Sequence, residues 1–112
     1  MRRGEIWWAA LGEPAGSEAG FRRPVLIVSA NALNVSEMKT VLAVPLTSNL
    51  TRDYYVTNVR LPARSTGLKD ASVAIVSLVA AANKRVLVER VGRLPEELMS
   101  QIDNGLRLVL AL

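Results

Sequence analysis

The sequence predicts a mainly β domain with small helices, an α+β chain built as a small curled sheet or partly open barrel with one C-terminal helix against it. Three observations carry this. Gly and Pro punctuate the chain into short pieces. The pieces between them are β-rich, as in Val25-Leu26-Ile27-Val28. Only the last stretch repeats its apolar residues at helical spacing.

The elements follow in order. Ile6 to Leu11 reads as a first strand, and Gly12 to Arg23 as a loop holding Gly12, Gly16, Gly20 and Pro14. Pro24 to Ser29 reads as a strand buried on both faces. Asn31 to Met38 is a short helix or a turn. Val41 to Leu46 is a strand in which Pro45 marks an edge or a bulge. Tyr55 to Leu61 alternates, with Tyr55, Thr57, Val59 and Leu61 on one face, and predicts a half-buried strand. Pro62 to Gly67 is a turn, and Ser72 to Val79 and Val86 to Val91 are two further strands. Trp7 and Trp8 are adjacent on a strand and must face opposite ways. Pro95 suits a first helical position, and Glu96 and Glu97 suit the positive end of the helix dipole. Leu98, Ile102, Leu106, Val109 and Leu110 then form one apolar face. Gly105 interrupts that face at a cost of about 1 kcal/mol relative to Ala, which points to a close approach by another backbone.

Size and composition bound the function. The 112 residues make one domain, 1–112. Half are apolar, too many for a disordered chain, and for a chain this small they predict a dimer. Lys plus Arg is 14 against 10 Asp plus Glu, a bias of +4 that is compatible with a polyanionic partner. The chain has neither Cys nor His. Disulfide scaffolds, thiolate nucleophiles, His-based triads and His or Cys metal sites are excluded. No stretch is long and apolar enough to span a membrane, and the start, Met1-Arg2-Arg3 before Ile6 to Leu11, reads as strand rather than leader. The cytoplasm is the expected compartment.

Two stretches hold reactive groups. Gly16 to Pro24 presents the carboxylate of Glu18 and the guanidinium groups of Arg22 and Arg23. Pro45-Leu46-Thr47-Ser48-Asn49 puts two hydroxyls and an amide at a strand end. Each alone is ordinary loop or turn chemistry. Together they suit cleavage of RNA by its own 2′-hydroxyl. An Arg fork matches two phosphate oxygens, a carboxylate accepts a proton, and a hydroxyl steadies developing charge. That chemistry needs no metal, no cofactor and no protein nucleophile. Arg52 to Tyr55 and Asn83 to Arg85 offer cations and aromatic rings that could contact RNA, Arg52, Tyr54 and Lys84 first among them.

At these residues the chain resembles the MazF/PemK (Kid-like) toxins of type II toxin–antitoxin systems. Arg3-Gly4-Glu5-Ile6-Trp7 looks like the family's opening strand. Gly16-Ser17-Glu18 with Arg23-Pro24-Val25-Leu26-Ile27-Val28-Ser29 resembles its central signature, and Pro45-Leu46-Thr47-Ser48 its second. Asn31, Asn34, Gly67-Leu68 and Val91-Gly92-Arg93-Leu94 follow in the family's order. The resemblance implies a compact SH3-like barrel of the CcdB and PemK type, working as a homodimer without cofactor. It implies a metal-independent endoribonuclease that cuts single-stranded RNA to 2′,3′-cyclic phosphate and 5′-hydroxyl ends, restrained by a MazE-like antitoxin. The catalytic Arg falls on Arg23, the catalytic Thr on Thr47 and the loop carboxylate on Glu18, with Ser48 beside the RNA. The chain departs from the family at Ser77 to Arg85, where a Gln-Ile-Arg-Thr-like segment is missing. Two other activities fit the same barrel, a CcdB-like gyrase poison and a catalytically silent RNA binder. Arg23 with Thr47 favours the nuclease.

Overall fold

The computed structural model describes residues 1–10 and 22–112. Seven strands form one antiparallel sheet: β1 (Glu5–Ala10), β2 (Arg22–Ile27), β3 (Thr40–Thr47), β4 (Val59–Leu61), β5 (Ser72–Ala74), β6 (Ala80–Asn83) and β7 (Leu87–Arg93). Two single-turn helices, α1 (Asn31–Asn34) and α2 (Ala63–Thr66), lie between strands, and α3 (Glu96–Leu110) ends the chain. The strand order is β4-β5-β3-β2-β1-β7, with β6 also paired to β3. Among the described residues no pairing joins the outer strands, so the barrel is partly open.

The middle strands are apolar on both faces because each face meets a different core. Ile6, Leu26, Val44 and Leu46 pack with Met99 and Ile102 of α3. Ala9, Val25, Ile27, Val41 and Ala43 pack with Leu87, Trp7 and Val86 on the other side. The expected two-faced burial of Val25 to Val28 is therefore found. Between β1 and β7 the register slips twice, at Ile6/Trp7 and at Trp8/Ala9. Bulges of this kind sharpen the local twist.

Pro45 is neither on an edge nor in a bulge. One side of β3 pairs with β2 as far as Pro45. The other side pairs with β6 over Thr40–Ala43 and then with β5 at Leu46 and Thr47. Pro45 stands at this exchange of partners, where a missing N–H costs no ladder bond, and its carbonyl accepts from Ile75 N–H at 2.9 Å.

Other boundaries move. Tyr55 to Asn58 is not strand. A 3-10 turn covers Leu50–Tyr54, Asn58 N–H closes a turn on the Tyr55 carbonyl at 2.9 Å, and only Val59–Leu61 is extended. Tyr55, expected on a buried face, is exposed. The stretch from Ser72 to Val79 breaks after Ala74 into a 3-10 turn, and β6 follows as a strand with no periodic pattern to announce it. Pro95 caps α3 rather than opening it, and Leu110 is exposed at the edge of the helix's apolar face. Gly105 is buried and meets another backbone as expected. A Cβ there would lie 2.5 Å from the Thr57 carbonyl oxygen. With 15 residues α3 is the longest helix, and no described helix is long and apolar enough to cross a membrane.

Polar side chains tie the N-terminal strand in place. Asn31 Oδ1 accepts from Arg3 N–H at 2.6 Å, and Asn34 Nδ2 donates to the Ser29 carbonyl at 2.9 Å. Arg3 pairs with Asp103 of α3. Glu5, only 8% exposed, accepts from Arg2 N–H at 2.8 Å and Trp7 Nε1 at 3.1 Å, and pairs with Arg90 at 2.9 Å. Burial pushes its carboxyl up. The bonds from Arg2 and Trp7 and the Arg90 charge outweigh burial and hold it below its ordinary 4.5. A depressed folded value makes this stabilisation present above the unfolded value and lost as pH falls below it. We expect Glu5→Gln to cost about 1–2 kcal/mol near neutrality. That gap should close as pH falls through and below 4.5, read by denaturant titration of both proteins at each pH. A gap independent of pH would mean that the charge contributes nothing.

Candidate active site

The antiparallel ladder sets the predicted cations first. β2 begins at Arg22 rather than at Pro24, so Arg22 and Arg23 stand on a strand and not on a loop. Their register partners on β1 are Ala10 and Ala9, and Pro24 lies opposite Trp8. Both residues are exposed. β3 runs beside β2 and ends at Thr47, half-buried, with Ser48 exposed just after it. Two predicted segments distant in sequence thus arrive together.

They meet in a cleft of about 300 Å³ lined by Arg22, Arg23, Thr47 and Ser48. Trp8, Pro24, Leu46 and Leu68 supply its apolar part. Trp7 faces the second core instead, so the tryptophans divide as their adjacency requires. Asn49 N–H donates to Thr47 Oγ1 at 3.2 Å. This bond uses a lone pair and leaves the hydroxyl proton available to donate. Asn49 Oδ1 in turn accepts from Thr51 N–H at 3.2 Å and Thr51 Oγ1 at 2.7 Å, which fixes the chain as it leaves the cleft.

Lys69, Asp70 and Ser72 also line the cleft, and sequence reasoning did not find them. α2 ends at Gly67 in the left-handed region (φ 84°), and the chain turns there into β5. β5 pairs Val73 with Thr47, which carries the preceding polar residues to the cleft. No local signal marks this, because it depends on the pairing of two strands far apart in sequence. Among the described lining residues the cations Arg22, Arg23 and Lys69 face one carboxylate, Asp70. The cleft favours an anion, and its two Arg forks and two hydroxyls suit phosphate oxygens.

Three other predicted residues, Arg52, Tyr54 and Lys84, are not among the described residues of the cleft wall. Glu18 lies outside the described residues. Arg52 and Tyr54 sit on the 3-10 turn that leaves the cleft directly after Ser48 and Asn49. Arg52 Nε is enclosed without a hydrogen-bond partner among the described residues. Lys84 is not brought to the cleft. Asn83 pairs with Thr40, the opposite end of β3 from Thr47. Over the eight residues of β3 that separation is about 23 Å. Lys84 Nζ instead donates to the Ser36 carbonyl at 2.9 Å, beside Lys39 and Arg85.

The model of one protein family, described as PemK-like, MazF-like toxin of type II toxin-antitoxin system, matches residues 2–110. The chain belongs to this toxin family. Endoribonuclease MazF2 of Mycobacterium bovis is 44% identical over 112 residues, covering 100% of this chain and 98% of that one. A solved MazE–MazF structure from Deinococcus radiodurans superposes with a TM-score of 0.81 at 26% identity, covering 100% of this chain and 96% of the other. An endoribonuclease in complex with its cognate antitoxin, from a mycobacterial species, superposes at 0.77 and 26% identity, with 100% and 96% covered. In this PemK-like, MazF-like chain the cleft forms where the start of β2 lies beside the end of β3.

Proposed function

We propose that the chain is the RNA-cleaving toxin of a type II toxin–antitoxin pair, an endoribonuclease that cuts single-stranded RNA at short sequences and so inhibits translation and growth. The meeting of Arg22, Arg23, Thr47 and Ser48 in one cation-rich cleft, in a member of this toxin family, carries the reading. RNA supplies the nucleophile. Its 2′-hydroxyl attacks the adjacent phosphorus, the P–O5′ bond breaks as the P–O2′ bond forms, and the 5′-oxygen gains a proton as the 2′-oxygen loses one. The products are a 2′,3′-cyclic phosphate and a 5′-hydroxyl. Arg23 neutralises the charge that builds on the phosphate oxygens and can pass a proton to the leaving oxygen. Thr47 donates its free hydroxyl proton to the same oxygens. Glu18 takes the 2′ proton or positions Arg23. Arg22 and Ser48 hold the RNA beside the reacting phosphate. None of these steps needs a metal.

The relative solved in complex with its cognate antitoxin supports the partner in this reading. The chain works in the cytoplasm as a homodimer. An antitoxin of the MazE kind holds it inactive, an acidic and partly disordered protein suited to a cationic cleft. The test is incubation with a long mixed-sequence RNA in EDTA, with every new 5′ end mapped. Discrete cuts bearing 5′-hydroxyls are expected, slowed about a hundredfold in Thr47→Val. Cuts that require added divalent metal, or that Thr47→Val makes at full rate, would overturn the mechanism.

A further inference from the structure

Both tyrosines of this chain stand side by side on the turn that leaves the cleft, and both project into solvent. Tyr54 is 85% exposed and Tyr55 59%. Their rings meet edge to face, with centroids 5.5 Å apart and planes at 86°. In that geometry one ring covers a single face of the other and keeps both of its own faces open. At least three π faces are therefore uncovered by the pair.

The turn that carries them is braced from three sides. Asn58 Nδ2 donates to the Arg52 carbonyl at 2.9 Å while Asn58 Oδ1 accepts from Val76 N–H at 3.1 Å, which ties the turn to the segment after β5. Asp53 pairs with Arg60 of β4 at 3.5 Å. The Thr57 carbonyl rests against Gly105 of α3. These contacts fix the backbone that carries the rings, and the rings rest against each other in water. Arg60 is paired with Asp53, so Arg52, two residues before Tyr54, supplies the positive charge of this turn, and the cleft lies upstream in the chain. These features fit a flat, uncharged group carried on a polyanion.

We infer that Tyr54 and Tyr55 form a stacking platform for the base of a nucleotide flanking the cleaved phosphate. The inference rests on the RNA-cleaving reading and extends it. The cleft handles the scissile phosphate, and the platform adds a demand for a base next to it. Stacking tolerates any base, since each has a π face, so the platform reads the presence of a flanking base rather than its identity.

The test uses short RNAs that contain a mapped cut sequence, intact or with one flanking position made abasic. An abasic position keeps its phosphate and loses only the ring. Tyr54→Ala should raise KM about tenfold on intact RNA and leave kcat nearly unchanged, while Tyr54→Phe cleaves like the unaltered protein. Removing the base at one flanking position should weaken the unaltered protein by a similar factor and add nothing further to Tyr54→Ala. Independent, additive losses would overturn the platform, as would an unaffected Tyr54→Ala or a Tyr54→Phe as weak as Tyr54→Ala. So would a Tyr54→Ala protein of changed sedimentation mass, which would make the rings a protein contact. If the unaltered protein cuts no RNA, the RNA-cleaving reading falls by itself. The platform is then judged by fluorescence anisotropy with a labelled single-stranded oligonucleotide carrying 2′-deoxyribose throughout. Weaker binding by Tyr54→Ala than by Tyr54→Phe supports it, and equal binding overturns it.

Discussion

Arg23→Ala should lower RNA cleavage about a thousandfold and leave the fold intact. Arg23 stands exposed at the head of β2, so its loss creates no cavity. The same substitution takes from the cleft a planar cation that can span two phosphate oxygens. Unfolding free energy should move by less than about 1 kcal/mol, in keeping with a surface position. Arg23→Lys separates charge from shape. It restores the positive charge without the fork and should recover only part of the rate. Single-turnover cleavage of one labelled oligonucleotide, beside thermal unfolding of each variant, measures both quantities. An Arg23→Ala protein that cuts at the original rate would remove Arg23 from the mechanism.

Gly105→Ala should destabilise the protein, although helix propensity argues the other way. Ala is better than Gly inside a helix by about 1 kcal/mol. Against that stands the space at the site. A Cβ on residue 105 would come 2.5 Å from the Thr57 carbonyl oxygen and 3.3 Å from both Val76 Cγ atoms. A backbone oxygen cannot rotate away, so the turn or the helix must move. Overpacking of this kind costs about 1–3 kcal/mol, and contact with rigid backbone belongs at the upper end. The net loss should be about 2 kcal/mol, or about 10 °C in Tm. Ser100→Ala, on an exposed position of the same helix, gains propensity without the contact and should be neutral or slightly stabilising. A Gly105→Ala protein more stable than its parent would show that the Thr57 contact yields.

The candidate site was legible in part, and the physical reason differs residue by residue. Arg22, Arg23, Thr47 and Ser48 could be named because their chemistry is local and their order along the chain matches the toxin family. Lys69 and Asp70 could not, because they reach the cleft only through the pairing of Val73 with Thr47. Lys84 lies away from the cleft for the converse reason. Its charge suits a phosphate, but β6 pairs with the far end of β3. Tyr55 was misjudged by pattern. Its alternation with Thr57, Val59 and Leu61 is genuine, yet Asn58 bonds both Arg52 and Val76 and bends the chain before the strand begins. β6 went unseen because Ala80–Asn83, mostly Ala, carries no apolar period.

The amino-acid sequence by itself determined the β class, the closing helix, the close approach at Gly105 and the kind of chemistry available to a chain without His or Cys. These depend on residue identity and on periods spanning a few neighbours, which a linear chain states directly. Tertiary structure alone decided which strands adjoin, why Pro45 is tolerated where β3 changes partners, which polar residues join the cleft and which aromatic rings face water. Those outcomes follow from packing two cores on opposite faces of one sheet. That packing selects among strand pairings whose local preferences are nearly equal.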